Sequence, residues 1–107
     1  MAVIAKRIEK IAGDEKIEGA VIGKHIEDFA GMPFNAAPIG KLISWDEAKV
    51  FLSYNYTSDL GVIQSHPVFA WTATKVITSC GCNAATDFFW LPRHPTDSEP
   101  TFGGAMD

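Results

Sequence analysis

Near the start of the chain, apolar residues recur at helical spacing. Ile4, Ile8 and Ile11 lie four and three residues apart, with Lys6, Arg7, Glu9 and Lys10 between them. This stripe predicts a short amphipathic helix over residues 2–12. Gly13, just past the last apolar position, suits a helix stop. Residues 16–29 admit two patterns. Ile17, Ala20, Val21 and Ile22 read as a buried strand flanked by Gly19 and Gly23, while Val21 or Ile22 with Ile26 and Phe29 read as a helix face. Two glycines each weaken a helix by about 1 kcal/mol relative to alanine. The expectation is therefore a strand over 16–23 and a helical turn around 25–29. Residues 31–41, with two prolines and two glycines, read as a loop.

The strongest local signal follows. Ser44 precedes Glu47 by three residues, the capping-box spacing, and Trp45, Ala48, Phe51 and Leu52 then recur at helical intervals. A helix over 45–53 is predicted, with Ile43 placed before the cap to staple against Ala48. Residues 54–66 are polar and rich in turn formers, so they read as a surface loop. From Pro67 onward the period changes to two. Segments 67–72 and 75–80 are rich in Val, Ile, Thr and aromatics, and 86–91 forms a third such run ending at Pro92.

Together these predict an α+β fold: an antiparallel sheet containing a C-terminal three-stranded meander, with short helices packed on one face. If Ala73-Thr74 is the whole first turn, Trp71 faces Val76 and Phe69 faces Thr78. Val68, Ala70, Thr72, Lys75, Ile77 and Ser79 then share the other face. The Phe69–Trp71 face reads as the core and its opposite as mixed. The last run, Phe88-Phe89-Trp90-Leu91, is apolar on both faces, which a sheet with one wet face does not need.

Size limits how that apolar surface can be covered. The 107 residues are 47% hydrophobic and fit one domain, taken as 1–95 with a loosely ordered tail at 96–107. Short helices cannot cover both faces of the sheet, so a second copy of the chain, as a homodimer, is expected. The net charge of −4 speaks against a nucleic-acid binder, which needs clustered Lys and Arg. No apolar run approaches the roughly 18–20 residues that span a bilayer. The charged N-terminus does not read as a secretory signal, and two cysteines one residue apart do not read as a staple, so a cytoplasmic protein is expected.

Candidate chemistry is sparse. Cys80-Gly81-Cys82 offers two soft ligands, but structural zinc sites use wider Cys spacing and a second ligand pair, so no metal and no cofactor are expected. Cys80 near His66 would make a thiolate–imidazole pair if the hairpin loop has two residues, although the flanking residues match no nucleophile signature. The carboxylates suggest nothing beyond helix capping and solvated faces. A more suggestive set is Tyr54, Tyr56, His66, Trp71 and Arg93, placed to line a ligand pocket between the 54–66 loop and the sheet. Arg93 is suited to clamp a carboxylate or phosphate, or else to pair with Asp59 or Asp87. A small molecule or a protein is the expected ligand.

Three runs, ISWDEAKVFLSYNY, HPVFAWTATKVI and ATDFFWLPRHP, lie between Ile43 and Pro95. In its W-D-E-A helix, the Y-x-Y after it, the A-W-T and V-I of a hairpin and the closing P-R-x-P, this half of the chain resembles small uncharacterised bacterial α+β proteins, some carried on mobile gene cassettes. The resemblance implies the fold class and no activity.

Overall fold

The computed structural model describes residues 2–25, 34–56, 65–82, 85–97, 99 and 100. The N-terminal stripe forms helix α1, Ile4–Ala12, preceded by a two-residue strand β1, Ala2–Val3. Gly13 ends the helix at φ 66°, and its N–H donates to Glu9 O. Strand β2 is Gly19–Ile22, and β3 is Leu42–Ile43, between the 31–41 stretch read as loop and the helix cap. Helix α2, Trp45–Phe51, starts at Ser44. There the Glu47 N–H donates to Ser44 Oγ, whose own hydroxyl bonds the Glu47 carboxylate, both at 3.2 Å. Strand β4, Asn55–Tyr56, pairs with β1 as a separate two-stranded ribbon. Strands β5 (Val68–Trp71), β6 (Lys75–Cys82) and β7 (Ala85–Pro92) make the expected meander.

The main sheet has the order β3-β2-β5-β6-β7, with every neighbouring pair antiparallel. The fold is the α+β class read from the pattern. Gly23 is needed where β2 leaves the sheet. Its N–H donates to Pro67 O at 2.7 Å, and a Cβ there would come within 2.6 Å of the proline ring.

The first hairpin has the two-residue loop and the register expected: Phe69 opposite Thr78, Ala70 opposite Ile77, Trp71 opposite Val76. Ala73 and Thr74 lack the positive φ of a primed turn. Glu15 holds the loop instead. Its carboxylate accepts from the hydroxyls of Thr72 and Thr74 and from the Thr74 N–H.

The face assignment is reversed from expectation. The core takes Ala20, Ile22, Ile43, Val68, Ala70, Ile77 and Phe88 from the sheet, packed with Ile4, Ile8 and Ala12 of α1 and Trp45 and Ala48 of α2. The sheet face that carries Phe69 is the outer one. Room is the difference between the faces: Ala20 and Ala70 stand side by side on the core face, both fully buried, and leave space for the helices beside Ile22, Ile77 and Phe88. The large rings of Phe69 and Trp71 would hold the helices off. The pattern reads Gly81 to Ala85 as a second turn, but Gly81 and Cys82 extend β6 and Ala85 begins β7. Residues 83–84, the helical turn expected around 25–29 beyond His25, the interior of the 54–66 loop and the end of the tail lie outside the described residues.

Candidate functional site

Both helices pack on one face, so among the described residues no helix lies on the other face of the sheet. Side chains directly opposite each other in an antiparallel ladder share a face. Leu42, Val21, Phe69, Thr78 and Phe89 therefore form one row across the sheet. Gly19, Trp71, Val76 and Leu91 form the next. Leu42, Phe69 and Leu91 are 67%, 52% and 51% exposed, and none of the side chains in these rows belongs to the core. Antiparallel sheets with a wet face ordinarily alternate to polar residues on it. This face does not.

Charges sit at its borders, already matched. At one corner Arg93 Nη1 donates to Glu18 Oε1 at 2.6 Å and to the Thr72 carbonyl at 2.8 Å. Asp59 lies outside the described residues, and Asp87 is held by Arg7 at 3.5 Å, so the sequence-based pairing of Arg93 is corrected to Glu18. Arg93 follows β7 directly, and its N–H extends the β6–β7 ladder to Thr74 O. The guanidinium is thereby carried toward the residues that precede β2. Beside this corner lies an open cavity of about 360 Å³ lined by Glu18, Gly19, Leu42, Trp71 and Arg93. A second of about 560 Å³ shares Glu18, Gly19 and Leu42 and runs on to Lys41, Ser44 and Glu47. Its polar groups also serve the fold, since Ser44 and Glu47 cap α2.

The five residues expected to line one pocket separate into three places. Trp71 and Arg93 meet at the corner just described. Tyr56 is buried in the core with its ring edge-on to Phe88, the centroids 5.4 Å apart. Tyr54 and His66 bond one another: the Tyr54 hydroxyl accepts the His66 backbone N–H at 2.9 Å and lies 2.6 Å from His66 Nδ1. If the phenol gives its own proton to Nδ1, the ring proton of His66 sits on Nε2. His25, which sequence reading did not single out, stacks on Phe34 with centroids 4.1 Å apart and meets His66 edge-on at 4.9 Å. Both imidazoles are buried. These four rings form a plug at the edge of the core.

Cys80 stands opposite Asp87, so it shares the outer face. His66 is buried on the side of Tyr54, which packs against the core. The thiolate–imidazole pair considered from sequence would have to act through the sheet. The side chain of Cys82 lies outside the described residues, among which no group of three His, Cys, Asp or Glu side chains is placed to hold a metal. No helix among them is long and apolar enough to cross a membrane.

Sequence reasoning missed Leu42 and Phe69 as surface residues. The signal was present, since Phe69 and Trp71 alternate with Ala70 and the smaller residue marks the side that meets a helix. Comparison with protein-family models, curated proteins and solved structures finds no match.

Proposed function

We propose that this protein is a small cytoplasmic interaction module that binds a second copy of itself through the outer face of its five-stranded sheet. The observation that carries the reading is the uncharged apolar face formed by Leu42, Val21, Phe69, Trp71, Val76, Phe89 and Leu91, which neither helix covers. An aromatic side chain presents on the order of 200 Å² when bare, so Phe69 alone leaves about 100 Å² to water. The whole face leaves several hundred Å², the scale at which an apolar patch marks an interaction site. A standard interface buries about 800 Å² per partner, so polar residues of the rim would make up the rest.

A second copy is the fitting occupant for two reasons. A flat, twisted, uncharged sheet face is complementary to another like it, and two such faces pack about 10 Å apart with interdigitating side chains. The bordering Arg93–Glu18 and Arg7–Asp87 pairs are internally neutral, so they present no net charge to select an acidic or basic partner. Two-fold dimers are also the commonest closed assembly.

Sedimentation of Phe69→Lys and Leu91→Lys tests the reading. Phe69→Lys places a charge on the central strand of the paired faces and Leu91→Lys one on the edge strand, and each should convert a dimer to a folded monomer. Retention of the dimer by both variants would exclude this face.

A further inference from the structure

The register of the last hairpin fixes where every backbone group of β7 points. The Arg93 N–H donates to Thr74 O, one step beyond the Lys75–Pro92 pair. Bonded pairs alternate in an antiparallel ladder. Counting from that bond, Leu91, Phe89, Asp87 and Ala85 bond to β6, while Thr86, Phe88 and Trp90 turn their N–H and C=O groups outward. A separate contact agrees: the Phe88 N–H donates to Asp87 Oδ1, at 2.7 Å.

Among the described residues β7 is an edge strand, with no strand on its outer side. It lacks most devices that protect such edges. Its eight residues, ATDFFWLP, include no lysine and no proline before the last position. The register runs without a bulge from Lys75–Pro92 to Cys82–Ala85. The one charged residue is Asp87, and its surroundings are unusual. Asp87 belongs to the outer face, opposite Cys80, while α1 lies on the core face. Arg7 of α1 nevertheless reaches Asp87 Oδ1, at 3.5 Å, with both side chains largely buried. The oxygen that Arg7 reaches is the one that accepts the outward Phe88 N–H, so the two side chains meet at the outer edge of β7. The pair therefore lies over the edge, and its carboxylate occupies the outward N–H at the strand's centre.

We propose that the Arg7–Asp87 pair is an inhibitory contact that keeps the β7 edge from adding the β7 strand of a second copy. The edge is suited to that occupant. An eight-residue strand brought to itself about a two-fold axis pairs antiparallel along its whole length, and both of its faces are already apolar. This contact extends a sheet sideways, whereas the self-association proposed above stacks two sheets. The inference stands whether or not the outer face dimerises. Opening the edge doubles the mass of a monomeric wild type and raises that of a dimeric one at least twofold, because a dimer carries two such edges.

The test is the solution mass of Asp87→Ala by light scattering, with circular dichroism as the check on folding. The expected result is a folded protein of at least twice the wild-type mass. Asp87→Asn keeps the one oxygen that both the Phe88 N–H and the Arg7 guanidinium reach, so Arg7 stays over the edge and the mass should stay at the wild-type value. In Asp87→Ala/Trp90→Pro, a proline removes an outward N–H at a position where edge strands tolerate one, and the mass should return to wild type. If Asp87→Ala does not fold, Arg7→Ala carries the test, since it removes the residue lying over the edge and the mass must still rise. A folded Asp87→Ala of wild-type mass overturns the proposal, as does a double variant that remains doubled. A wild-type monomer would refute only the stacked-face reading, and the edge test would then read monomer against dimer.

Discussion

Two neighbouring strands carry a direct test of which sheet face is inside. Ile77 on β6 is fully buried, and Phe69 on β5 is half exposed. Ile77→Ala removes three buried carbons worth about 0.8 kcal/mol each, roughly 2.4 kcal/mol of transfer energy. The cavity left behind raises the cost to about 3–4 kcal/mol. Phe69→Ala removes the larger side chain but, within one chain, only the covered half, about 100 Å² or about 2.5 kcal/mol at 25 cal/mol per Å², with no closed cavity left behind to add to it. If a second copy covers the rest, about 100 Å² more is lost per chain, or about 2.5 kcal/mol at 25 cal/mol per Å². That second part appears only where the dimer is populated, because association stabilises by mass action. Urea unfolding followed by tryptophan fluorescence, at two widely separated protein concentrations, separates the terms. Ile77→Ala should be costly and equally so at both concentrations. The Phe69→Ala penalty should fall below that of Ile77→Ala in dilute protein and grow with concentration. A dilute Phe69→Ala as damaging as Ile77→Ala would refute the face assignment, and a constant penalty would refute the covering partner.

Ser44→Ala removes the hydroxyl that receives the Glu47 N–H and should cost about 1 kcal/mol in urea unfolding. Tyr54→Phe deletes the hydroxyl that serves both the His66 N–H and Nδ1, and should cost about 1–3 kcal/mol, read as a lower urea midpoint with an unchanged slope. Glu15 is held below the usual glutamate range, first by the Thr72 hydroxyl and then by that of Thr74, with Lys75 adding a smaller attraction against the cost of desolvation. A lowered carboxylate contributes stability above its unfolded value and loses it as pH falls through its folded value. Glu15→Gln should therefore flatten the acid side of the stability–pH curve below about pH 5, while lowering the plateau at neutral pH. An unchanged acid limb would show that Glu15 does not hold the 73–74 turn.

The elements that could be read from sequence were those with local causes. The 2–12 stripe, the Ser44–Glu47 cap and the alternation from 67 to 91 each depend on neighbours in the chain, and each became the expected element within a few residues. The 73–74 loop was legible in length but not in mechanism, because the carboxylate that holds it comes from Glu15, almost sixty residues away. The two-residue strand β3 left no signal, since Leu42 and Ile43 are too few to set a period. The side of the hairpin that faces in is decided by the helices it meets, and the bulk of Phe69 and Trp71 outweighed the small size of Ala70 when the hairpin was read alone. The pocket set failed for a similar reason. Tyr54, Tyr56, His66, Trp71 and Arg93 share chemistry, but the topology sends Tyr56 into the core, ties Tyr54 to His66 and carries Arg93 to Glu18. The doubly apolar strand was the one functional hint carried by local pattern. In the fold it is an edge strand, with Phe88 in the core and Phe89 and Leu91 on the outer face.

The central claim is that the outer face of the sheet meets a second copy of itself. Light scattering coupled to size exclusion, on the unmodified chain at micromolar concentration, measures this most directly. A mass of twice the 11.6 kDa chain is the predicted result. A single-chain mass, unchanged as concentration rises, would contradict it.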